Sequence, residues 1–264
     1  ERNMSRLIVV PVSQAAANQR AGRAGRTQNG KCFRLYTEAA FNINLLPQTK
    51  PEILRSDISQ VILTMLATGI DDIVNFPFLD RPPKRLMLSA VEDLYYLGAI
   101  DLEGKLTEDG KKFALIPLDP KLSKTVISSH KFNCGYQVAM IVAILGESGR
   151  LFSRPTKDAA KADEAHEHFY SPTGDHITYL NAMEEYLAQP RNERREWCIR
   201  NFINPKLIDR IDRSMQQIIG IMKSMNIPVR KIKPDDPMRD TLVLRTLLEG
   251  SFQQIAMFEE VCNH

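Results

Sequence analysis

Between residues 206 and 226 the apolar side chains Ile208, Ile211, Met215, Ile218 and Met222 recur at alternating spacings of three and four. That period places them on one face of an α-helix. Such a stripe is read as bundle core, not as a cofactor box. The same criterion predicts helices over residues 121–131, 136–145, 158–169, 176–189 and 193–202, and a last one over about 241–258. A charged linker runs from Pro228 to Pro237. Upstream, Ile58, Val61, Ile62, Met65 and Leu66 form another helical face, with Ser56 or Asp57 as cap and Gly69 as stop. Pro82-Pro83 precede a helix to about Leu97, with Met87, Val91, Leu94 and Leu97 inward. Residues 100–106 read as two short strands about a Glu103-Gly104 turn. Thr107 and Glu108 then open a short helix. Helices with a small β-ribbon suggest a winged helix.

The first 36 residues have a different grain. Leu7-Ile8-Val9-Val10-Pro11-Val12 reads as a buried strand, Ser13 as the N-cap of an Ala-rich helix over 14–25, residues 27–30 as a turn, and Cys32-Phe33-Arg34-Leu35-Tyr36 as a second strand. Strand, helix, strand is the expected end of an α/β domain, and the opening Glu-Arg-Asn-Met suggests that the chain starts inside it.

Composition narrows the class. An apolar fraction of 43% and a charged fraction of 25% are ordinary for a soluble globular chain. No apolar run approaches the ~20 residues of a membrane span. Cys32, Cys134, Cys198 and Cys262 form no C-x-x-C pair, so neither a disulfide framework nor a zinc site is expected, and a reducing compartment fits. The net charge of +3 conceals an asymmetry. Residues 1–36 hold Arg2, Arg6, Arg20, Arg23, Arg26, Lys31 and Arg34 against Glu1 alone, a local +6. Clustered arginines point to a phosphate ligand.

The chemistry concentrates in Gln19-Arg20-Ala21-Gly22-Arg23-Ala24-Gly25-Arg26. On a helix, Gln19, Arg23 and Arg26 share one face. Gly22 and Gly25 each cost roughly 1 kcal/mol against Ala in a helix interior. Close backbone approach by a neighbouring domain or ligand would account for them. Two forked guanidiniums suit a polyphosphate, and a carboxamide can hold a water in line. A solvated basic helix is the bland alternative, but surface charge needs no glycines there.

Residues 19–26 match Q-R-x-G-R-x-G-R, motif VI of superfamily-two helicases. With Ser13 to Asn18 before it and Thr27 to Glu38 after it, the run resembles DEAH-box ATP-dependent RNA helicases of the splicing and ribosome-assembly kind. Pro51-Glu52-Ile53-Leu54-Arg55-Ser56, Leu94-Tyr95-Tyr96-Leu97-Gly98-Ala99, Ile116-Pro117-Leu118-Asp119-Pro120 and Gly174-Asp175-His176-Ile177-Thr178 resemble later family signatures. The resemblance covers essentially the whole chain. It implies a mainly α chain in which the remnant of an α/β RecA-like domain precedes a winged helix and a helical bundle, the ratchet. The expected domains are 1–48, the end of the second RecA-like domain; 49–118, the winged helix; 119–228, the ratchet; and 229–264, a linker and helix leading toward an OB-fold.

By the same resemblance, Arg23 and Arg26 are arginine fingers, Gln19 helps place the attacking water, and Arg20 is structural. ATP and Mg²⁺ would be bound mainly by domains outside this chain, which alone is expected to hydrolyse nothing. Single-stranded RNA is the implied partner, glycine-patch activators are candidate partners, and no membrane is involved. The compartment would be nuclear or cytoplasmic, with the nucleus favoured. Two features depart from the family pattern, Leu248-Glu249-Gly250-Ser251-Phe252 and the polar, Gly-rich Leu145 to Arg150.

Several features are decoys. Gly25-x-x-x-x-Gly30-Lys31 puts Cys32 where a P-loop needs Ser or Thr, and follows a helix instead of a strand. Asp163-Glu164-Ala165-His166 spells DEAH on a polar helical run, without the apolar strand a Mg²⁺-binding Asp needs. His166, His168 and His176 lack the spacing of a metal set. For backbone contacts to nucleic acid, Arg150, Arg154, Lys157 and Lys161 are the candidates, against a solvated basic rim. Arg191, Arg194, Arg195 and Arg200, interleaved with Glu193 and Glu196, read as an ion-paired exposed helix. No aromatic platform for stacking bases is evident. A free-standing winged-helix nucleic-acid binder and a protein-docking platform are the rival readings.

Overall fold

The computed structural model describes residues 9–256. Twelve α-helices lie among them: α1 Gln14–Gly22, α2 Glu38–Asn44, α3 Ser59–Ala67, α4 Lys84–Tyr96, α5 Glu108–Leu115, α6 Pro120–Ser128, α7 Gly135–Gly146, α8 Ala159–Glu167, α9 Asp175–Ala188, α10 Arg194–Arg200, α11 Pro205–Ser224 and α12 Arg239–Ser251. The described chain is mainly α and has no named strand, only two isolated antiparallel bridges. No helix in it is long and apolar enough to cross a membrane.

Both predicted N-terminal strands need correction. Residues 9–12 and 32–36 form no strand, and Val9, Phe33 and Leu35 are almost fully exposed. A strand exists by pairing, and no described segment pairs with either run. Leu7 and Ile8 lie outside the described residues, as do Arg2, Arg6, Cys262 and the end of the helix predicted to reach residue 258.

Helices α3, α4 and α5 pack together as one unit. Asp57 Oδ1 accepts from the Ser59 backbone N–H at 2.7 Å and so caps α3, and Gly69, at φ +85°, follows its C-cap. The inward face differs from the predicted one. Leu63 is fully buried while Val61 is exposed. The wing shrinks to one bridge, Ile100 to Leu106, closed by Gly104 at φ +77°. Thr107 caps α5, its Oγ1 accepting from the Gly110 N–H at 3.0 Å.

From α6 onward the helices surround α7, whose Val138 to Ala143 are buried without interruption. Helix α11 lies along it with Ile208, Ile211, Met215, Ile218 and Met222 buried, the stripe seen in the sequence. The linker after α11 is stitched back onto α7. The Tyr136 N–H donates to Arg230 O at 2.9 Å, and the buried Gln137 side chain exchanges hydrogen bonds with the Ile232 backbone. Buried Arg239 then anchors α12, its guanidinium reaching Glu184, Asn181 and Asp240. Removing one partner of a buried pair of this kind typically costs about 3–5 kcal/mol.

Gly250 marks the crossing of α12 over α6, where a Cβ would collide with Lys121 O and Thr125 Oγ1. The departure at residues 248–252 is thus a close-approach site. Gly250→Ala should destabilise the chain by about 1–3 kcal/mol, read as a lower urea midpoint at unchanged slope. An unchanged midpoint would mean that the two helices separate at no cost.

Candidate functional site

Helix α1 is held through its N-terminal half. Ser13 Oγ accepts from the Ala16 N–H at 3.2 Å and bonds Thr49 Oγ1 at 2.9 Å. The Gln14 and Ala15 N–H groups donate to Leu46 O and Pro47 O, and the Gln14 amide donates to Phe41 O. Ala17 is the buried contact. Beyond it, residues 18–20 and 22–30 are exposed. Arg34 is tied down separately, donating to Asn18 Oδ1 at 2.6 Å with its guanidinium over the Phe41 ring.

The segment from Gln19 to Arg26 sits on this projecting end. Helix α1 tightens into a 3₁₀ turn at Arg23–Gly25. In a 3₁₀ turn residues three apart eclipse, about 6 Å apart along the axis. Arg26 therefore stands over Arg23, and Gln19 lies one α-turn before Arg23 on the same face. By that period the three predicted side chains fall along one face, and all three are exposed. None has a hydrogen bond or ion pair to another described residue. A Cβ built at Gly22 or Gly25 meets nothing within 4 Å. No neighbour within the described chain accounts for either glycine. Gly30 differs, its backbone lying hard against Ala24, so the resemblance to a P-loop is a tight turn.

The second candidate set follows α7. The Gly-rich stretch is fastened to α11, Glu147 taking Ser214 Oγ at 2.9 Å and Arg210 Nε at 3.3 Å. Residues 151–153 then run beside 202–204, with Ser153 N–H donating to Phe202 O at 2.7 Å. Arg150, Arg154, Lys157 and Lys161 are all exposed around the start of α8. Two of them already have carboxylates. Arg154 forks onto Asp163 at 2.6 and 2.8 Å, which holds that carboxyl below its usual pKa. Lys161 lies 3.4 Å from Asp158. Arg150 and Lys157 have no such partner among the described residues.

The DEAH tetrapeptide lies on α8 with local duties. Asp163 receives Arg154, and His166 Nε2 donates to Phe202 O at 3.2 Å. His168 pairs with Glu185 at 2.8 Å. Arg194 corrects the reading of an ion-paired exposed helix. It is half-buried, its guanidinium over Tyr186, near Asp212 of α11 and donating to the Gln189 and Leu187 carbonyls.

Two cavities among those of the bundle stand out. The larger, about 630 Å³, lies between α7 and α11 and is mostly apolar. Its one charged group, Glu147, is already held by Arg210 and Ser214. The smaller, about 400 Å³, is lined by Phe152, His166, Tyr170 and Tyr179 with Glu167 and Asp175. The sequence reading missed this aromatic cluster, because a loop and two helices supply its members and no spacing links them.

Family comparison identifies two regions. Residues 90–118 match the helicase associated domain (HA2), winged-helix, and residues 119–179 match the helicase associated domain (HA2), ratchet-like. Both are typical of DEAH/RHA-type helicases, so the chain carries the helicase-associated region of an RNA or DNA helicase.

The open surroundings of Gly22 yield a direct test. Gly22→Ala should leave the folded chain as stable as before, or more stable by up to about 1 kcal/mol, in urea unfolding. A loss of more than about 1 kcal/mol would reveal a contact within the chain.

Proposed function

We propose that this chain is part of an ATP-dependent, DEAH-box-type RNA helicase that couples ATP hydrolysis to RNA translocation or remodelling, in a role such as pre-mRNA splicing. The observation that carries the reading is the exposed Gln19–Arg23–Arg26 face beside two glycines with open space over them, on a chain that also bears the helicase-associated regions. Such a face fits the phosphates of ATP held by a facing RecA-like domain. In that arrangement Arg23 and Arg26 stabilise charge on the transferring phosphoryl group and Gln19 orients the attacking water. No carboxylate occurs between Gln14 and Thr37, so Mg²⁺ would be held by residues elsewhere. The proposed organisation keeps residues 1–48 as RecA-like, 49–118 as winged helix, 119–228 as ratchet and 229–264 as linker and helix.

Arg150 and Lys157 are the proposed strand contacts, since their charges are uncommitted, whereas Arg154 and Lys161 are shared with Asp163 and Asp158. A stand-alone winged-helix nucleic-acid binder is less well supported. Lys111 and Lys112 of α5 are paired with Glu108 and Asp109 one turn earlier, which leaves that helix little net positive charge. Leu88, Tyr95 and Tyr96 are exposed on α4, which favours an additional protein-docking role there, with glycine-patch activators as the proposed partners.

In the full-length enzyme, Arg23→Ala or Arg26→Ala should cut ATP turnover by roughly 10³ or more, the arginine-finger scale. Near-normal turnover in both variants would remove the assignment. For the strand contacts, fluorescence anisotropy with labelled single-stranded RNA over a salt series is decisive. The Arg150→Ala/Lys157→Ala double variant should bind more weakly, with the salt slope reduced by about two. Arg154→Ala should change the slope less, and the reverse ranking would move the contact to Arg154.

A further inference from the structure

We propose that the cavity between α8 and α9 receives the guanidinium of an arginine carried on a basic peptide segment of a partner protein. Its walls are aromatic. Phe152 lies 4.5 Å, centroid to centroid, from His166 and 5.5 Å from Tyr179. Tyr170, 66% exposed, stacks on no other described ring and stands at the rim. Ring faces attract a cation within about 6 Å of their centroids, and arginine, being planar, also stacks on them.

The rim is acidic. Glu167 and Asp175 both line the opening and are exposed, and neither carboxylate has a hydrogen bond or ion pair to another described residue. The surrounding charges are committed elsewhere, Arg154 to Asp163, Lys161 to Asp158 and His168 to Glu185. Thr178 Oγ1, another polar group of the lining, is occupied by the Ser171 N–H and Gly174 O, and His166 Nε2 is occupied by Phe202 O. What the cavity leaves unmatched is thus negative charge beside aromatic faces.

That combination selects among guests. A nucleotide could stack on Tyr170, but its phosphate would face two carboxylates with no lysine or arginine in the lining. A neutral apolar side chain would leave both carboxylates unpaired. A guanidinium meets both demands, stacking on a ring while its fork donates to a carboxylate. A peptide carrier fits the exposed rim. The site lies on the ratchet-like region, away from the winged-helix surface proposed for activators.

The test uses the 264-residue chain and three fluorescent probes. One is a peptide of three Gly-Arg-Gly repeats, another is the same peptide with each arginine replaced by citrulline, and the last is an octauridylate. Anisotropy should show saturable binding of the arginine peptide. Affinity should fall at least tenfold for the citrulline peptide, for the Glu167→Gln/Asp175→Asn variant and for Tyr170→Ala. These side chains are exposed, so circular dichroism and urea midpoints should stay close to the parent. Equal binding of the citrulline peptide, or full retention by the double carboxamide variant, would overturn the proposal. So would octauridylate binding that is lost in Tyr170→Ala, which would assign the cavity to a nucleobase.

Discussion

Helix α7 has almost no water-facing side, and the bundle is arranged to satisfy that. Its run from Val138 to Ala143 is buried on every side, so an apolar neighbour is needed all round. Helices α6, α9, α11 and α12 supply it. The burial leaves a polar residue, Gln137, inside, where an unpaired amide would cost free energy. The Ile232 backbone answers it from the linker. Pro228 O also sits where a Cβ on Gly135 would come within 2.7 Å. The segment after α11 is therefore held close against α7, and that path delivers Arg239 to Glu184 and α12 to α6.

How much of this the sequence disclosed depends on how periodic each element is. In α11 polar and apolar residues alternate at helical spacing over five turns, so the inward face could be read directly. Helix α3 is different. Val61, Ile62, Leu63, Met65 and Leu66 are all apolar, so periodicity cannot orient it, and Leu63 was missed while Val61 was misplaced. The strands predicted over 7–12 and 32–36 fail in their described residues, 9–12 and 32–36, for another reason. β-Branched alternation states a preference, while a ladder needs a partner edge. The described residues offer none.

The candidate sites divide along the same line. Gln19, Arg23 and Arg26 lie within one short segment, so local spacing alone predicts that they share one face, and all three are exposed. The stretch with Arg150, Arg154, Lys157 and Lys161 was visible as charge, but which charges were free was not. Asp163 lies nine residues beyond Arg154, and only the fold shows that its carboxylate takes that fork. The aromatic cavity was the least legible of all, since Phe152 comes from a loop pinned to residues 202–204, and its neighbours from α8 and α9.

Pairing, more than charge count, separates committed from uncommitted cations among the described residues. Arg239 and Arg194 are at least half-buried and surrounded by acceptors, and their removal would strand those acceptors. Arg154 and Arg210 are exposed but committed to Asp163 and Glu147. Exposed ion pairs of this kind contribute little to stability, of the order of 0–1 kcal/mol. Their effect is to remove a positive charge from what an incoming ligand would meet. The same pairing leaves the arginines after Ala17 as a concentrated unmatched positive face, and Glu167 with Asp175 as an unmatched negative one. Two surfaces of opposite charge follow, one positive and the other negative, although the whole chain is only +3.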